Sequence, residues 1–114
     1  MKIVRLDDAE KYQNSDSCTV YEYELNDPDI NCATGTIEGR YPDKGYCVNE
    51  ECKELIYVLE GFGTLNKEGE KINFKAGDVI LINKGEPYYW EASCKIIMPC
   101  TPAWYPAQHR IVED

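Results

Sequence analysis

Residues Lys53 to Tyr89 read KELIYVLEGFGTLNKEGEKINFKAGDVILINKGEPYY, and this stretch decides the fold. Glu54 to Leu59 is rich in β-branched and aromatic residues and runs as a strand towards Gly61 and Gly63. Asn66-Lys67-Glu68-Gly69 has the composition of a hairpin turn. A short strand, Lys71 to Phe74, leads to Ala76-Gly77-Asp78. Gly61 and Gly77 are expected where the chain turns tightly at positive φ, and Asp78 can accept backbone N–H groups beside Gly77. Val79 to Ile82 is an unbroken apolar run, which predicts burial on both faces or against a partner. Lys84-Gly85-Glu86-Pro87 then turns the chain into an aromatic strand, Tyr88 to Glu91.

Working outward, the same grammar repeats. Cys18 to Leu25 and Ile30 to Tyr41 read as strands separated by the turn Asn26-Asp27-Pro28-Asp29. Pro42-Asp43-Lys44-Gly45 turns the chain into Tyr46 to Asn49, and a charged bend, Glu50 to Lys53, precedes the central stretch. Lys95 to Cys100 closes the set. The first 17 residues are polar, with one short strand expected at Ile3-Val4-Arg5. No segment has a period of 3.6, and short strands punctuated by Gly, Pro, Asn and Asp predict an all-β sandwich or closed barrel. At 114 residues the chain is long enough for one core, so a single domain over residues 1–114 is expected.

The central stretch resembles the core of the cupin superfamily. That family's first signature ends in a glutamate, six residues and a glycine, the interval between Glu54 and Gly61. Its second signature spaces two glycines as Gly77 and Gly85 are spaced here. The match covers roughly residues 35–100 and implies a cupin double-stranded β-helix, a small jelly-roll barrel. It also implies a metal site of two histidines, a glutamate and a third histidine facing inward. Here Asn83 stands at the usual proline, Tyr88 at the third histidine and Ala92 at the usual asparagine. By spacing, the first histidine pair falls on Cys47 and Asn49, or on Val48 and Glu50 if the gap to Glu54 is one residue shorter. The first register is preferred, because the second would place a valine at a ligand position.

Residues i and i+2 of a strand share a face, so Cys47 and Asn49 should point inward together. Glu54 would join them from the next strand and Tyr88 from the far side of the barrel. Neutral amide and phenol oxygens are weak ligands, so no cofactor is expected. If a divalent metal does bind, Cys47, Asn49, Glu54 and Tyr88 are the donors to expect. The plainer reading makes these four simple barrel lining. The third makes them the polar groups of a metal-free pocket, with Trp90 on the face of Tyr88 as an aromatic wall suited to a sugar ring or a planar acid. Glu54 and Tyr88 are then the only inward acid–base pair to propose for an isomerase or epimerase. The tail from Thr101 is irregular; Trp104 and Tyr105 are expected to pack back on the barrel or across a dimer seam, with His109 exposed or in that seam.

A net charge of −9 with 12 scattered Lys and Arg argues against nucleic acid or an anionic membrane as partner. The opening MKIVRLDDAEKY lacks the apolar stretch of a signal peptide, so a cytoplasmic location with six reduced cysteines is expected. Small cupins are commonly dimers, so the resemblance implies a homodimer. Three functions stand open: binding of an unknown small polar or sugar-like molecule, catalysis, or a scaffold that binds a second copy.

Overall fold

The structure, a computed structural model, describes residues 1–113. Among the described residues nine strands form: β1 Glu10–Ser15, β2 Cys18–Tyr23, β3 Asn31–Tyr41, β4 Tyr46–Asn49, β5 Lys53–Lys67, β6 Glu70–Lys75, β7 Val79–Ile82, β8 Tyr89–Thr101 and β9 His109–Val112. Seven make one antiparallel sheet in the order β1-β2-β3-β8-β5-β6, with β7 also on β5. β4 and β9 make a second sheet, joined to the first region by a bridge between Cys47 and Tyr88. The order is non-sequential because β8 enters between β3 and β5. That insertion wraps an antiparallel sheet into a jelly roll.

Alternation along the strands sets the interior. In β3 the buried residues Asn31, Ala33, Gly35 and Ile37 alternate with half-exposed ones. In β5 Glu54, Ile56 and Val58 point in while Leu55, Tyr57 and Leu59 point out. A period of two is what a strand with one wet face requires. Ile56, Val58 and Ile96 are the centre of the core, each nearly inaccessible.

Several expectations are corrected. The strand foreseen at Ile3-Val4-Arg5 is absent; a 3-10 turn at Leu6–Asp8 precedes the polar edge strand β1 instead. The central strand does not stop at Leu59 but continues to Lys67, and Tyr88 to Glu91 joins Lys95 to Cys100 in the single strand β8. Gly61 has the foreseen positive φ, +87°, but lies inside β5 rather than at a turn. It follows the register slip between Val58 and Glu60, and a Cβ there would lie 2.0 Å from the Ser93 carbonyl oxygen. Gly77, at φ +94°, does turn the chain, and Asp78 Oδ2 accepts the Lys75 N–H at 2.9 Å. Val79 to Ile82 is not buried on both faces: Val79 and Leu81 are exposed because β7 pairs only with β5 and covers one side of it.

Candidate functional site

The barrel holds a cavity of about 380 Å³. That lies at the lower end of the roughly 300–1,000 Å³ typical of small-molecule sites. Strand alternation builds its walls. Cys18, Val20 and Glu22 face in from β2, and Glu24 continues the row just beyond its end. Trp90, Ile96 and Met98 face in from β8, and Glu54 from β5. Tyr88, Trp104 and His109 close the far end.

The polar floor is a chain of hydrogen bonds centred on Asn49, which is fully buried. Its Nδ2 donates to Glu54 Oε1 at 2.5 Å. Its Oδ1 accepts from Gln108 Nε2 at 3.2 Å and meets His109 Nδ1 at 2.8 Å. Since Oδ1 only accepts, His109 must carry its proton on Nδ1, which leaves Nε2 as an acceptor. Burial holds the His109 pKa below its usual value, so the ring is neutral near pH 7. Gln108 Oε1 accepts the N–H groups of Glu51 and Cys52, so the tail is tied to the bend before β5.

The aromatic wall is made of Tyr88 and Trp90, edge to face with centroids 6.4 Å apart. Phe74 braces Trp90 from behind at 5.6 Å. Trp104 packs beside His109 at 5.7 Å. Tyr88 is not on the far side from Cys47, as the spacing had suggested. The two are neighbours that exchange backbone bonds, Cys47 N–H to Tyr88 O at 2.7 Å and Tyr88 N–H to Cys47 O at 3.0 Å.

Burial sets the ionisation of the site. It pushes the Glu54 carboxyl above its ordinary value, and the bond from Asn49 opposes this. Glu22 is pushed up to about 7 by burial, then by the charges of Glu24 and Glu54. Tyr88 is held well above the phenol range by burial and by Glu54, so its hydroxyl stays protonated. Burial, with Cys18 and Glu54 beside it, pushes the Cys47 thiol up to about 12. Cys47 is therefore a buried thiol and no nucleophile at neutral pH.

The family model for the cupin domain matches residues 46–95. Over those residues the chain is similar to the cupin domain. No curated protein sequence matches it. Among solved structures, the chain superposes on Streptomyces Pac13, a nucleoside dehydratase, with a TM-score of 0.88 and 18% identity over 99% of this chain and 92% of that one. A Pac13 variant solved with uridine gives the same values. The polyketide cyclase RemF of Streptomyces resistomycificus gives 0.73 and 19% over 98% of this chain and 85% of its own. KdgF from Halomonas sp. gives 0.68 and 16% over 89% and 94%. At such identities the likeness is one of fold.

The cupin fold implies a metal, and the residues here do not suit one. Among the described residues no three His, Cys, Asp or Glu side chains converge as a metal site. The reason is visible in the floor. Asn49 commits both ends of its amide to Glu54, Gln108 and His109, while Cys47 and Tyr88 hold their protons.

Of the five residues singled out by sequence, Glu54, Tyr88 and Trp90 line the cavity. Cys47 and Asn49 are turned inward and fully buried but lie behind its surface, Asn49 as the holder of Glu54. In the alternative register Val48 is buried and Glu50 is exposed, bonded to Arg110. Two residues were missed. Glu22 was legible as the inward partner of Cys18 and Val20 in a period of two. His109, expected in solvent or at a seam, is half-buried in the cavity wall because Asn49 pairs with it in the β4–β9 ladder. Nothing local in the tail signals that pairing. Tyr105, by contrast, is exposed.

Proposed function

We propose that this chain binds a small polar, ring-bearing molecule inside the barrel without a metal. The observation that carries the reading is a pair of free polar groups beside the aromatic wall. Glu54 has one oxygen held by Asn49, and its other oxygen and the Tyr88 hydroxyl have no hydrogen-bond partner among the described residues. No fully buried side-chain polar atom among those residues lacks a partner, so both groups border open space. They are placed to bond a ligand whose ring stacks on Trp90. The likeness to a nucleoside dehydratase solved with uridine supports starting with nucleosides, alongside sugars and small planar acids. A thermal-shift screen tests this: a ligand at 100 times its Kd should stabilise by about 2.7 kcal/mol. A panel without any shift would refute it, and stoichiometric metal in protein purified without chelator would refute its metal-free part.

A second reading, catalysis by acid–base transfer, is favoured by Glu22. Tyr88 holds its proton too firmly to act as a base, whereas Glu22 is poised at about 7 in the same cavity as Glu54. Glu22 and Glu54 then replace Glu54 and Tyr88 as the pair. Substituting Glu54→Gln would abolish turnover while leaving the fold nearly as stable, since the amide oxygen still accepts from Asn49. Six free cysteines and an acidic surface support a reducing cytoplasmic setting. The exposed ladder of Leu55 and Tyr57 opposite Leu81 and Val79 supports a homodimer, which light scattering in solution would detect.

A further inference from the structure

The carboxylates of the cavity are spread along its depth. Glu24 is exposed at the mouth, Glu22 is half-buried and Glu54 is buried at the floor. Among the described residues no Lys or Arg lines the cavity, and its one histidine is uncharged near neutral pH. The nearby cations are engaged elsewhere. Arg40 donates to the carbonyls of Pro42 and Gly45 and stacks on Tyr89, whose ring is outside. Lys2 binds the carbonyls of Leu25 and Asn26, and Arg110 pairs with Glu50.

A second observation points to a ligand in the cavity, beyond its acidity. Tyr88 is 7% exposed, lines the cavity and has a hydroxyl without a partner among the described residues. Glu54, at 8%, presents its second oxygen in the same way. These groups ask for a ligand that can both donate and accept hydrogen bonds. A hydroxyl or an amide does both. A phosphate or carboxylate only accepts, and it would bring its charge against a wall that offers it no cation.

Resting on the binding reading above, we infer that this cavity selects uncharged, hydroxyl- or amide-bearing ligands and excludes their phosphorylated or carboxylate counterparts. One anion about 6 Å from one ionised glutamate, at an effective dielectric of about 20, corresponds to roughly a hundredfold weaker binding. The planar acids are thereby removed from the candidates, and free nucleosides and sugars are kept.

Matched pairs test this by calorimetry at pH 9, where Glu22, pushed up to about 7 by burial, is ionised: cytidine against cytidine monophosphate, ribose against ribose 5-phosphate, benzamide against benzoate. The expected result is binding by the neutral member of at least one pair and roughly hundredfold weaker binding by its anion. In the Glu22→Gln, Glu24→Gln double variant, checked for an unchanged melting profile, the preference should shrink at least tenfold. An anion that binds as tightly as its neutral partner overturns the inference and leaves the binding reading standing. A preference that survives intact in the double variant overturns its assignment to these carboxylates. If neither these pairs nor the wider screen gives any binding, the binding reading itself falls, and the inference with it.

Discussion

Replacing Asn49 with alanine removes a side chain that ties β4 to β5 and to the tail. The amide makes three contacts, to Glu54, Gln108 and His109, in a site with no solvent exposure. Losing the donor to Glu54 costs about 1.5–3 kcal/mol when that group is ionised and about 1 kcal/mol when it is neutral. Gln108, itself only 2% exposed, is left with an unmatched N–H, for about 1–3 kcal/mol more. His109 and Glu54 border the cavity and can recover bonds to water. The expected total is about 3–5 kcal/mol near pH 9 and about 1 kcal/mol less near pH 5. The sign follows from Glu54. Its carboxyl is already raised by burial, and the Asn49 bond pulls it back down. Without that bond the folded-state value climbs further, so the variant loses additional stability as pH rises and Glu54 must ionise. Urea denaturation at the two pH values measures both quantities. A cost below about 1 kcal/mol at high pH, or a cost that falls as pH rises, would refute the account of the floor.

Three further outcomes are expected. Glu22 ionises at about 7 in the fold, above its unfolded value near 4.3, so its contribution favours the fold below that lower value and is lost as pH rises towards 7. After allowance for its partial exposure the slope is about 0.7 kcal/mol per pH unit, and Glu22→Gln should flatten it in a pH series of urea melts. Gly61→Ala places a Cβ against the Ser93 carbonyl at positive φ and should cost about 3 kcal/mol or more, read by thermal melting against a milder Gly85→Asn control, where φ is also positive but open space surrounds the residue. Gln108→Ala strips the acceptor from the Glu51 and Cys52 N–H groups and should cost about 2–4 kcal/mol in guanidinium melts, with faster hydrogen exchange at those two amides.

Much of this protein is written in local chemistry. Glycines at 61 and 77, turns rich in Asn, Asp and Pro, and strands with a period of two need only their neighbours to be read. The resemblance to cupins that they carry placed Glu54 and Tyr88 inside a barrel and implied that Cys47 and Asn49 turn inward with them, and alternation from Tyr88 added Trp90. A period-two reading carried four residues past Cys18 would also have reached Glu22. What the sequence could not hold is the pairing of segments far apart along the chain. Asn49 and His109 become partners only when β9 returns to β4, a contact spanning 60 residues. That closure turned a tail into a cavity wall and took Asn49 from the wall into the support behind it. The exposure of Val79 and Leu81 has the same origin: an apolar run records which residues avoid water, but the sheet order alone decides whether a neighbour arrives to cover them.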